Sequence, residues 1–143
     1  MADFNTEQLL EMLQRQGGAG NLDLSGHDLT GINLSGEALE ELLDELGYAG
    51  VGRGPLWFEP WTKGVSLSHA HLREAQLRMA DLRNACLENA DLRGADLSGA
   101  ELNSVNLAGA DIDGARLDGA NLTGTNLAGT SMVGTSTSGT CLA

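Results

Sequence analysis

Broken every five residues from Val65, residues 65–143 read VSLSH AHLRE AQLRM ADLRN ACLEN ADLRG ADLSG AELNS VNLAG ADIDG ARLDG ANLTG TNLAG TSMVG TSTSG TCLA. The third residue is Leu in thirteen of the sixteen units, with Ile112, Met132 and Thr137 as the exceptions. The first is Ala in ten, Val in two and Thr in the last four. An apolar period of five fits no straight element. Five residues turn a helix by roughly 500°, so successive Leu would walk around the cylinder. Five is odd, so successive Leu on a straight strand would alternate faces. The first and third residues of one unit do share a face of a short extended piece. Every Ala and Leu can therefore reach one core only if the chain bends once per unit, at the fourth and fifth positions. Gly fills the fifth position in nine units, and Gly tolerates positive φ at low cost. The pattern predicts an all-β solenoid with small and large side chains stacked inside.

Units such as ADLRG, ADLSG and ANLTG resemble the pentapeptide-repeat family, whose consensus is A(D/N)LXX. The resemblance covers Val65–Ala143 and, less regularly, Leu22–Gly36. It implies a right-handed quadrilateral β-helix with four units per coil. Four regular coils would then stack at about 4.8 Å, a rod roughly 19 Å long.

The sequence divides into four stretches. Residues 1–21 are expected to hold a capping helix that opens at Asn5 or Thr6 and runs to about Gln16, with Leu9, Leu10 and Leu13 on one face, followed by a glycine linker. Residues 22–36 are three irregular units, LDLSG, HDLTG and INLSG, with Leu24, Leu29 and Leu34 at their centres and His27 at an inward position. Residues 37–64 break the register. SGEALEELLDELG is a second expected helix, capped by Ser35, with Leu39, Leu42, Leu43 and Leu46 as its apolar stripe. The loop after it gathers Leu56, Trp57, Phe58 and Trp61. These four residues either pack that helix onto the solenoid or form a candidate partner surface, since Trp is enriched at binding hot spots. Residues 65–143 are the regular solenoid.

The net charge is −12, with eleven acids and three bases in residues 1–64 against nine and five in residues 65–143. No basic tract suggests direct nucleic-acid binding. No run approaches the roughly 20 apolar residues of a membrane span. The opening MADFNTEQ lacks the basic and apolar regions of a signal peptide, and the expected location is cytoplasmic. Cys86 and Cys141 fall on different sides of the solenoid two coils apart, so no disulfide is expected between them.

With four units per coil, residues twenty apart stack. Arg93 is expected beside Asp113, Asp96 beside Arg116, Asn106 beside Asn126, and Asp91 between His71 and Asp111, mostly as cross-strand pairs. No nucleophile, metal spacing or phosphate loop accompanies them. No catalytic, cofactor or metal site is expected.

Pentapeptide-repeat proteins mostly have no known enzymatic activity, so the resemblance implies a non-catalytic structural or protein-interaction module, its partner unknown. The alternative is an acidic DNA mimic that binds or protects DNA gyrase or topoisomerase. Five arginines interrupt the acidic walls, and the acid excess lies in residues 1–64. A last expectation concerns the final coil. Thr125, Thr130, Thr135 and Thr140 form an inward ring, and no charged side chain follows Gly119. That ring either caps the coil by bonding to water or marks a candidate dimer end where two copies meet, C-terminal coil to C-terminal coil, as a closed homodimer.

Overall fold

A three-residue extended piece followed by a two-residue bend is the local rule of every regular unit. In the computed structural model, which describes Asn5, Gln8, residues 24–33 and residues 66–142, four such units close one square coil. From Ser66 onward every bridge is parallel and joins second-position residues twenty apart, from Ser66↔Cys86 to Asn121↔Cys141. This gives four walls. Wall one stacks Leu67, Leu87, Leu107 and Leu127; wall two Leu72, Leu92, Ile112 and Met132; wall three Leu77, Leu97, Leu117 and Thr137; wall four Leu82, Leu102, Leu122 and Leu142.

Each unit bonds to the coils on both sides. Asp91 N–H donates to Ala70 C=O of the preceding coil (3.0 Å); Leu92 and Gly94 N–H donate to Asp111 and Asp113 C=O of the following one (2.8 and 3.1 Å). The bend is closed by Ala95 N–H donating to Leu92 C=O (3.0 Å). This is a four-residue turn whose third residue, Gly94, has φ of 71°, the requirement of a type II turn.

The core is built from the ladders alone. Every third-position residue from Leu67 to Leu122 is no more than 2% exposed, and the first-position residues between them are equally hidden. Each buried Leu contributes about 1.5–3 kcal/mol, which lets a chain with 3% aromatic residues hold a core. The last coil is different: Leu127 is half-buried and Leu142 is 66% exposed.

The irregular units lie below this stack and extend its ladders. Leu24, Leu29 and Ile32 are buried in the same core. Asp28 bridges His71 and Asn33 bridges Gln76, pairs 43 residues apart rather than 20. The chain between Asn33 and Ser66 thus holds 23 residues more than a regular coil requires. His27 is half-buried; its N–H donates to Leu24 C=O (3.2 Å) and its C=O accepts from His71 N–H (2.9 Å).

At the other end of the sequence, Asn5 and Gln8 exchange side-chain-to-backbone bonds of 3.0 and 2.8 Å, and Gln8 is helical. This reciprocal pair is a capping box, with Asn5 rather than Thr6 as the N-cap. The remainder of that helix, the second helix, and Leu56, Trp57, Phe58 and Trp61 lie outside the described residues.

Candidate interaction surfaces

The fourth-position N–H takes no part in the bonds between coils, and the second residue supplies its acceptor. Asp28, Asp81, Asp91, Asp96, Asn106, Asp111, Asn121 and Asn126 each accept, through Oδ1, the N–H two residues on, at 3.0–3.3 Å. This Asx-turn bond is the physical reason for Asp or Asn at the second position. Sequence reasoning treated that column only as an outer ladder; the signal that could have revealed it was the Asp/Asn preference itself.

Two units in the last coil carry Ser at the second position, Ser131 and Ser136. There the acceptor comes from the preceding coil. Asp113 Oδ1 accepts the Ser131 hydroxyl (2.6 Å) and Val133 N–H (2.7 Å); Asp118 Oδ1 accepts the Ser136 hydroxyl (2.6 Å) and Ser138 N–H (2.8 Å). The Ser136 hydroxyl, then the Ser138 N–H, holds the Asp118 carboxyl below its usual value.

These local bonds change the expected outer pairs. Arg93 stacks on Asp113 through the backbone register, but its guanidinium turns to Asp91 in its own unit, with Nη2 2.6 Å from Oδ2, and lies 3.7 Å from Asp111. Asp113 is directed to the last coil instead. Arg93 thus relieves the repulsion between stacked Asp91 and Asp111, and its hydrogen bond is the main cause that lowers the Asp91 pKa. Asp96 bridges Arg116 through the backbone, yet its carboxylate takes the Ser98 hydroxyl at 2.6 Å. Asn106 and Asn126 do bond side chain to side chain, at 3.3 Å. His71 bridges both Asp28 and Asp91 and is exposed.

The threonine ring faces inward, half-buried, and its hydroxyls bond to backbone carbonyls. Thr125, Thr130 and Thr135 donate to the C=O groups of Leu102, Leu107 and Ile112 at 2.7, 2.8 and 2.8 Å, and Thr140 donates to Thr137 C=O at 2.5 Å, with Leu117 C=O farther off at 3.3 Å. Each carbonyl already accepts a turn N–H, so the hydroxyl fills its second lone pair. The groups that lower coils use to bond the next coil have no described partner here. They are the N–H groups of Leu127, Gly129, Met132, Gly134, Thr137, Gly139 and Leu142, and the C=O groups of Thr125, Thr130, Thr135 and Thr140. Met132, Val133 and Leu142 are exposed beside them.

Among the described residues, no three His, Cys, Asp or Glu side chains are placed to hold a metal ion. Cys86 and Cys141 form no disulfide. Among the same residues no helix is long and apolar enough to cross a membrane.

The family model for pentapeptide repeats matches residues 63–99 and 100–136, with eight copies. The chain belongs to the pentapeptide-repeat family. With that family comes its fold, the right-handed β-helix. Among solved structures, the chain is similar to a pentapeptide repeat protein of the Arabidopsis thaliana thylakoid lumen, at 26% identity and a TM-score of 0.49, covering 85% of this chain and 70% of that one. It is also similar to one from the cyanobacterium Cyanothece 51142, at 30% identity and a TM-score of 0.36, covering 94% and 97%. A third, from Nostoc PCC 7120, has 24% identity and a TM-score of 0.45, with all of both chains covered. A search of curated protein sequences finds no match.

Proposed function

We propose that this chain is a non-catalytic protein-interaction module of the cytoplasm. One observation carries the reading. The outer aspartates are engaged in holding the coil: Asp91, Asp96, Asp113 and Asp118 each accept backbone N–H groups. The groups left open are surface groups, namely the backbone edge of the last coil with Met132, Val133 and Leu142 beside it. Leu56, Trp57, Phe58 and Trp61 remain a candidate partner surface on sequence grounds. Two cysteines outside any disulfide suit a reducing compartment.

The test is affinity capture with the tagged full chain, in parallel with Trp57→Ala/Trp61→Ala. A stoichiometric protein that the wild type retains and the variant loses supports the reading and assigns the aromatic stretch. Capture of no stoichiometric partner overturns it.

The last coil supports a second element of the proposal, a homodimer formed C-terminal coil to C-terminal coil. The strand of each wall there offers one donor and one acceptor, such as Leu127 N–H and Thr125 C=O, which two copies can exchange, while bend N–H groups such as that of Gly129 add donors only. No charged side chain of this coil opposes the approach of two copies of net charge −12. The end is roughly 20 Å across, two sheet spacings, so it buries less than a standard interface and the dimer is weak. Light scattering at tens of micromolar reads it, with a single-chain mass of 14.9 kDa. Leu142→Arg, at an exposed position, should yield the monomer. Thr130→Arg is a poorer probe, because Thr130 is tied inward to Leu107.

The DNA-mimic reading is less favoured. A mimic needs unbroken rows of negative charge, and Arg93 neutralises the stacked Asp91 and Asp111. Absence of any effect on gyrase supercoiling at high micromolar concentration would remove it.

A further inference from the structure

We propose that the second coil, residues 65–84, is a docking surface for an acidic, leucine-bearing segment of a partner protein. The proposal rests on the interaction-module reading and names the chemistry of the partner. Three independent observations meet on this coil.

The first is backbone conformation. All four corners are non-glycine residues held at positive φ: His69 (60°), Glu74 (58°), Met79 (58°) and Asn84 (63°). Asn89 and Ser104 do the same at two corners of the next coil, and from Gly109 upward every described corner is Gly. The coil of residues 65–84 is thus the one whose four corners all hold side chains in the left-handed region against strain. Backbone strain of this kind concentrates at ligand-binding sites. The second observation is apolar exposure. Met79 is 67% exposed, and its Sδ lies over the Gly99 corner of the next coil. An unbranched thioether on a surface is an adaptable contact for apolar side chains.

The third observation is charge. Three of the solenoid's five arginines, Arg73, Arg78 and Arg83, occupy successive walls of this one coil. Arg83 is paired with Asp81 at 2.7 Å. Arg73 and Arg78 are exposed and make no ion pair with any described residue, although Arg73 lowers the Asp91 pKa slightly from a distance. In a chain of net charge −12, two free guanidinium forks on adjoining walls are complementary to carboxylates, which they bind bidentately. Met79 follows Arg78 directly, so an apolar residue between acids in the partner meets it.

The experiment uses the full chain and a fluorescein-labelled peptide, EELEELEELE, read by fluorescence anisotropy at low and moderate salt. Binding is expected, weakening as salt rises. Arg73→Glu/Arg78→Glu should weaken it at least tenfold and Met79→Ser several-fold. All variants should keep the wild-type circular dichroism spectrum, since these side chains are exposed. Absence of binding at millimolar peptide, or equal binding by the charge-reversed variant, overturns the proposal. Tighter binding to labelled duplex DNA than to the peptide also overturns it. So does a wild-type dimer that the charge reversal dissolves, which would make a second copy the occupant. A partner captured by the wild type and by the charge-reversed variant alike would sink this docking site and leave the interaction-module reading standing.

Discussion

The carboxylate of Asp113 accepts the backbone N–H of Val133, twenty residues later, at 2.7 Å. In units with Asp or Asn at the second position, such as that of Asp111, that N–H belongs to an Asx turn within the unit. Ser131 does not supply the turn here; its hydroxyl donates to the same Asp113 oxygen at 2.6 Å. One side chain in the fourth coil thus completes the backbone of the fifth. Asp113→Ala should destabilise the protein by about 1–2 kcal/mol, and Asp113→Asn, which keeps an acceptor oxygen, by less. Urea melts measure the loss. Amide exchange should speed up first at Val133, whose N–H loses its acceptor.

The pH dependence follows from carboxylates with lowered pKa values. Arg93 lowers Asp91, Ser136 and Ser138 lower Asp118, and the Thr30 hydroxyl and N–H bring Asp28 down to about 2. A carboxylate with a lower pKa in the folded state than in the unfolded state stabilises above the unfolded value, 3.8 here. That contribution is lost as pH falls through the folded value. Tm should therefore be insensitive to these groups from pH 7 to 5 and should drop between about pH 4 and pH 2. In Asp118→Asn the drop should be shallower. An unchanged slope in that variant would mean that Asp118 is not linked to folding.

The period of five made the walls legible. Leu67 to Leu122 are core residues because no other winding buries a residue at every fifth position. The stacking of residues twenty apart was legible only through the family resemblance, since a period of five does not say how many units close a coil. Side-chain partners were not legible. The second-position column can pair along the stack, as Asn106 and Asn126 do, or back onto its own unit, as Asp96 does with Ser98. Sequence spacing does not rank a bond twenty residues away against one two residues away. The threonine ring is similar: its inward direction follows from the first position, but the free lone pairs on Leu102, Leu107, Ile112 and Leu117 depend on turn geometry. The pairing of Ser131 with Asp113 and Ser136 with Asp118 left a trace in the sequence, an Asp twenty residues before the fourth residue of the two units TSMVG and TSTSG.

Leu97 tests the ladder itself. It is 1% exposed on wall three between Leu77 and Leu117. Leu97→Ala should cost about 2–5 kcal/mol, the transfer loss plus an unfilled cavity between two rigid coils. Leu97→Asp puts a charge where no partner can reach it and should abolish folding. A soluble Leu97→Asp protein with an unchanged far-ultraviolet circular dichroism spectrum would contradict the register.

The corner glycines allow backbone strain to be separated from crowding. Gly114 has φ of 70° and open space where a Cβ would stand; Gly99 has φ of 67°, but an added Cβ would run into the Met79 Sδ. Gly114→Ala should therefore report the conformational cost alone, roughly 1–2 kcal/mol for an L-residue in the left-handed region. Gly99→Ala should cost that and more. The Met79 chain is flexible and exposed, so it can swing aside, and the excess should stay below about 1 kcal/mol, within the off-rotamer range. A double-mutant cycle with Met79→Ala decides the matter. In that background Gly99→Ala should match Gly114→Ala, and an excess that persists would place the strain in the backbone of the third coil rather than in the contact with Met79.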